Sequence, residues 1–114
     1  MCCTMLLMPP GPYRRNLLAF LAAVPELCLV EVVESAGELA TAVSQLPAPP
    51  DLFILDYAPL AAARLALPAS IPCLALAETI PQLQQALDVG ADCALLRGFS
   101  AAEFLAALRV IREP

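Results

Sequence analysis

Apolar residues fall into five short runs along the chain, Thr4–Met8, Cys28–Val33, Leu52–Leu55, Cys73–Ala77 and Cys93–Arg97. Three of them are almost uninterrupted, the pattern of strands covered on both faces in a parallel sheet. The run "CLVEVV" (Cys28–Val33) differs because Glu31 interrupts it, which predicts an edge strand. Between the runs the periodicity becomes helical. Ser35 with Glu38, Thr79 with Gln82, and Ser100 with Glu103 are three candidate capping boxes, each with the spacing that lets two side chains satisfy the first-turn amides. In "SAAEFLAALRVI" the expected inward face is Phe104, Leu105, Leu108 and Ile111. In "TIPQLQQALDVG" it is Ile80, Leu83 and Leu87, with Gln82, Gln84, Gln85 and Asp88 outward and a stop at Gly90. The first helix is expected to begin near Pro12 and to end by Pro25.

Strand and helix alternate five times, which predicts an α/β fold: a doubly wound, flavodoxin-like, five-stranded parallel sheet of order 2-1-3-4-5. One crossover is thin. Only residues 57–71 join the third and fourth strands, and Pro59, Pro68 and Ser70 occupy part of that length. A parallel crossover needs about a dozen residues, so the third helix is expected to be shortened. The 114 residues suit one domain, spanning 1–114.

Composition narrows the chemistry. Aromatic residues are 5% of the chain, so the core must be built from Leu, Val, Ile and Ala. The net charge is −5 and all six cations are arginines without a basic stripe, which argues against nucleic-acid binding by this domain. The chain contains neither His nor Lys. Histidine bases and ligands, Schiff-base lysines and the usual phosphate-binding lysine are therefore excluded, and an enzyme is not expected. The five cysteines form an odd set without a Cys-x-x-Cys pair, and Cys28, Cys73 and Cys93 sit in strand-like runs. They are expected to be buried or incidental thiols rather than redox or metal groups. No basic leader and no membrane-length apolar run is visible, so the expected location is the cytoplasm, with no membrane contact.

Two stretches carry a family resemblance: "VPELCLVEVVESAGELATAVSQLPAPPDLFILDY" and "ALDVGADCALLRGFSAAEFLAAL". They resemble the response-regulator receiver domain, the first its run from the second strand to the phosphoacceptor and the second its "GAxxYLxKPFSxxEL" ending. The resemblance implies a phosphoacceptor at Asp56. It also implies an acidic pair for Mg²⁺ at Pro9 and Pro10, a hydroxyl at Ala77, a Lys at Arg97, a Pro at Gly98 and an aromatic at Ala94. Of these positions only Asp56 keeps the family's active-site residue. Mg²⁺ demands near-octahedral oxygen ligation, and phosphoryl transfer depends on positioning and charge neutralisation. Neither metal nor cofactor is therefore expected.

The leading reading is a degenerate, pseudo-receiver member: a non-catalytic regulatory module of a transcriptional regulator, acting through a protein partner or as a homodimer. Its pocket would be vestigial (Asp56, Ala77, Ala94 and Arg97), with Asp56 paired to Arg97. The alternative is a true two-component receiver phosphorylated on Asp56 by a histidine kinase, with Glu34 or Glu78 supplying the missing acid. A third reading, a small-molecule sensor at the same lip of the sheet, has no glycine-rich phosphate loop behind it. The candidate dimer face is Ala102, Ala106, Arg109 and Val110 on the last helix, with the fourth helix's Gln85 in the polar rim.

Overall fold

A computed structural model describes residues 2–112. The element order is β1 (Cys2–Leu7), α1 (Pro12–Ala22), β2 (Leu27–Val33), α2 (Ala36–Ser44), β3 (Leu52–Asp56), α3 (Leu60–Ala66), β4 (Cys73–Ala77), α4 (Ile80–Val89), β5 (Cys93–Leu96) and α5 (Ala101–Arg112). The strands form one parallel sheet in the order β2-β1-β3-β4-β5. This is the doubly wound architecture that the alternation predicts, with the Glu31-bearing strand at an edge.

Side-chain alternation along the strands divides the core into two halves. Phe53, Leu55, Cys73 and Ala75 pack with Leu39 of α2, Leu60 and Ala63 of α3 and Ala86 of α4. On the other face Leu52, Ile54, Leu74 and Leu76 meet Leu17 and Leu21 of α1 and Phe104, Ala107 and Leu108 of α5. β3 and β4 are buried along their whole length, as strands with helices on both faces must be. Phe20, Phe99 and Phe104 gather on the α1–α5 side with ring centroids 5.2 to 5.6 Å apart. Such contacts add to simple area burial.

Local signals explain the boundaries. α3 has seven residues and stops at Leu67, whose extended backbone is what a following proline imposes. α4 ends at Gly90, whose φ of +120° disfavours any side-chain-bearing residue. Ser100 and Glu103 form a complete reciprocal box at α5, with bonds of 3.0 and 3.1 Å. At α4 the Thr79 hydroxyl accepts from Gln82 N, while the Gln82 side chain accepts from Glu78 N. The Ser35 side chain makes no cap bond, and only Glu38 contributes there by accepting from Glu34 N.

The inward faces of the last two helices differ from the expectation. On α5 Ala107 takes the inward place assigned to Leu105, which is 40% exposed. The stripe 104, 107, 108, 111 follows helical spacing, and 105 lies about 100° around the axis from 104. On α4 the buried residue is Ala86, whereas Ile80 and Leu87 are exposed. A small residue lets this helix approach its neighbours closely, and Ala86 fills that role. All five thiols are free; Cys2 and Cys73 are buried, but Cys28 and Cys93 are only partly covered because their strands are the two edges.

β2 carries one irregularity. Its register with β1 passes from Thr4↔Leu29 to Met5↔Glu31, so Val30 is an extra residue, a bulge. Among the described residues, no helix is long and apolar enough to cross a membrane.

Candidate functional site

The carboxyl ends of the strands converge at one lip of the sheet, where doubly wound folds place their working residues. Asp56 is the last residue of β3 and is buried, with 8% exposure. Arg97 directly follows β5, and its backbone N–H donates to Ala77 O at 2.8 Å. β4 lies between them and ends in the fully buried Ala77, whose methyl group leaves the crossing open.

Arg97 uses that space. Its Nη2 donates to Asp56 Oδ1 at 3.1 Å, and its Nη1 lies 3.3 Å from Glu78 Oε1. The guanidinium also sits over the Tyr13 ring, 4.2 Å from the centroid. One cation is thus held by two carboxylates and an aromatic face, an arrangement that suits the planar, delocalised charge of arginine. Glu78, in a position to repel Asp56, instead shares its counter-ion. Asp56 Oδ1 accepts a second bond, from Tyr57 N at 3.1 Å. Burial pushes the Tyr13 phenol upward; nearby Arg97 opposes this and Asp56 adds to it. Among the described residues, the Tyr13 hydroxyl and Arg97 Nε are buried without a hydrogen-bond partner.

The other candidates fall into place around this cluster. Ala94, in β5 three residues before Arg97, is half-buried and packs on the α2–α4 side of the core. Pro9 and Pro10 are exposed. Glu34 is not drawn to Asp56; it lies 3.6 Å from Arg14, which also bonds Met8 O. Gly98 adopts φ +85°, a left-handed conformation closed to the Pro of the family pattern. Gln85, Ala102, Ala106, Arg109 and Val110 are all exposed. Tyr13 is the participant that sequence reasoning missed, since its contact with Arg97 joins the first helix to the last strand and no local pattern marks it.

The residues present do not fit a divalent cation. Asp56 Oδ1 is occupied by a guanidinium and a backbone amide, and a metal beside it would lie against the positive charge of Arg97. Among the described residues there is no group of three or more His, Cys, Asp or Glu that could hold one. A phosphoryl oxygen would find no hydroxyl at Ala77. The cluster sets two carboxylates and an aromatic face around one guanidinium.

No family model matches the chain, and no curated protein matches it. Its fold is shared with solved receiver domains. The signal receiver domain of the response regulator NarL from Mycobacterium tuberculosis superposes with a TM-score of 0.79 at 17% identity, covering 99% of this chain and 98% of that one. RcsB from Salmonella enterica serovar Typhimurium, solved bound to promoter rprA with a phosphomimetic, gives 0.79 at 13% identity, covering 99% and 100%. A structure of the CheA3 P1 domain in complex with CheY6 from R. sphaeroides also gives 0.79, at 17% identity, covering 99% and 98%.

Proposed function

We propose that this chain is a receiver-type regulatory module that works without phosphorylation, through protein–protein contacts rather than catalysis. The observation that carries this reading is the 3.1 Å bond between Arg97 Nη2 and Asp56 Oδ1. A cation supplied by the chain itself stands beside the carboxylate that a receiver would phosphorylate. Glu78 and Tyr13 are further partners of the same guanidinium. Output then depends on which protein surface is presented, not on a chemical step.

The surface we assign to self-association is the outer side of α5, Ala102, Ala106, Arg109 and Val110; Gln85 of α4, expected at its rim, instead lines a groove with Tyr57 and Ala61 on the α3 side. Leu105 and Val110 add exposed apolar area there, 40% and 66% exposed respectively. Solved structures of the same fold include RcsB bound to promoter rprA and CheY6 in complex with the P1 domain of CheA3, and contact with another macromolecule is the mode of action we assign to this module.

The test is incubation with Mg²⁺ and either acetyl phosphate or beryllofluoride. No change in mass, melting temperature or oligomeric state is expected. Ligand present at 100 times its dissociation constant would raise stability by about 2.7 kcal/mol. A clear rise, or a phosphoryl adduct lost in Asp56→Asn, would make the chain a working phosphoacceptor instead.

A further inference from the structure

β2 has β1 on one side and, among the described residues, no strand on the other. It is also the most exposed strand. Leu29 and Val30 are each 37% exposed, and Glu31 between the bulge and Val32 is open to solvent. An apolar edge of this length is a template for another strand unless something blunts it. Two features do so here. The bulge at Val30 twists the edge, and the Glu31 carboxylate accepts the Val32 N–H at 3.3 Å, covering a backbone donor.

Beside this edge runs a groove of about 380 Å³ between β2 and α2. Val33 and Ala42 contribute apolar surface, Thr41 and Gln45 are neutral, and Glu31 and Glu38 supply its charge. No cation lines it. The charge decides between occupants. A second copy would bring its own Glu31 and Glu38 to the junction, and each chain carries a net charge of −5. Like charges across paired strands destabilise the pairing.

We propose that the β2 edge is a docking site for an extended segment of another protein in which Lys or Arg alternates with apolar residues. The segment adds as a sixth strand. Its cations draw Glu31 away from Val32 and engage Glu38, so that Glu31 guards the edge when it is empty and binds the partner when it is filled. Main-chain bonds then supply affinity and the alternate side chains supply selectivity, the physics of strand addition. This surface lies apart from the Asp56–Arg97 cluster, so the proposal stands whether or not the lip is phosphorylated.

The probe is an acetylated, amidated heptapeptide alternating lysine and valine, titrated into the isotopically labelled full chain. Amide shifts and hydrogen-exchange protection should centre on Leu29 to Val33. A matched glutamate–valine peptide should not bind. Methylating the backbone nitrogens of the lysine–valine peptide should weaken it by about tenfold or more, because main-chain pairing is lost while charge is kept. Glu31→Gln combined with Glu38→Gln, both at solvent-exposed positions, should weaken the unmodified peptide as well. The proposal is overturned if the lysine–valine peptide does not bind or if its shifts map elsewhere. Equal binding by the methylated peptide would reduce the effect to charge attraction and overturn it too. So would self-association of the free chain through β2.

Discussion

Replacing Arg97 by Met keeps most of the side-chain volume and removes the guanidinium, so it isolates the charge at the lip. Asp56 would retain the Tyr57 N–H at 3.1 Å and lose its counter-ion. Removing one member of a fully buried pair costs about 3–5 kcal/mol, because the other charge is left stranded. Here the Asp56 side chain is 11% exposed and that of Arg97 27%, so water recovers part of that loss. The contact with Glu78, itself 61% exposed, adds at most about 0.5 kcal/mol, and the Tyr13 ring about 0.5–1 kcal/mol. We expect Arg97→Met to cost about 2 kcal/mol in all, a fall of about 8 °C in Tm for a domain of this size. Asp56→Asn should cost about 1 kcal/mol or less, since the amide oxygen can still accept from Arg97 and from Tyr57 N. The double variant carries the decisive result. With the stranded charge gone, Asp56→Asn should restore about 1 kcal/mol to the Arg97→Met protein. Urea denaturation of the four proteins measures this directly. Simple additivity of the two losses, or an Arg97→Met protein as stable as the wild type, would refute the account of the cluster.

Three further outcomes follow from the geometry. Ser100→Ala should cost about 1 kcal/mol in urea denaturation, and Ser35→Ala markedly less, because the Ser100 hydroxyl caps its helix and the Ser35 hydroxyl does not. Burial raises the Cys73 thiol above its ordinary 9.0, as it does those of Cys2 and Cys93, so the unfolded chain releases these protons first. Stability should be full below pH 9.0 and fall as pH rises beyond it toward the higher folded-state values, and a urea midpoint unchanged through that range would contradict the burial argument. On the α5 self-association proposed above, the wild type should dimerise and Ala106→Glu should not, since it places like charges near the two-fold axis; a monomeric wild type in sedimentation equilibrium would overturn that proposal.

Much of the architecture was legible because local signals and the global fold agree. The near-continuous apolar runs gave buried strands, and Glu31 marked the edge because a carboxylate is tolerated only where solvent reaches it. Pro68 and Gly90 ended their helices through backbone restrictions that need no tertiary context. The inward faces of α4 and α5 were harder to read for a physical reason. Hydrophobicity favours Leu87 and Leu105, but position around the helix axis decides which side chain meets the sheet, and Ala86 and Ala107 stand on that side. The bulge at Val30 was hidden as well, since an inserted residue in an all-apolar strand leaves the composition unchanged. At the lip, Asp56 could be located from its place at a strand end. Tyr13 could not, since its importance comes only from Arg97 folding over its ring.

That same contact has a practical side. The chain has no tryptophan and two tyrosines, Tyr13 beneath Arg97 and Tyr57 beside Asp56. Both intrinsic fluorophores absorbing beyond phenylalanine therefore flank one end of the sheet, Tyr13 against the Arg97 guanidinium and Tyr57 at the groove beside α3 and α4. Tyrosine emission from the unlabelled protein is a site-specific optical signal. A movement of the Arg97 side chain would alter the surroundings of one emitter, and a substitution of Phe for either tyrosine would assign the change.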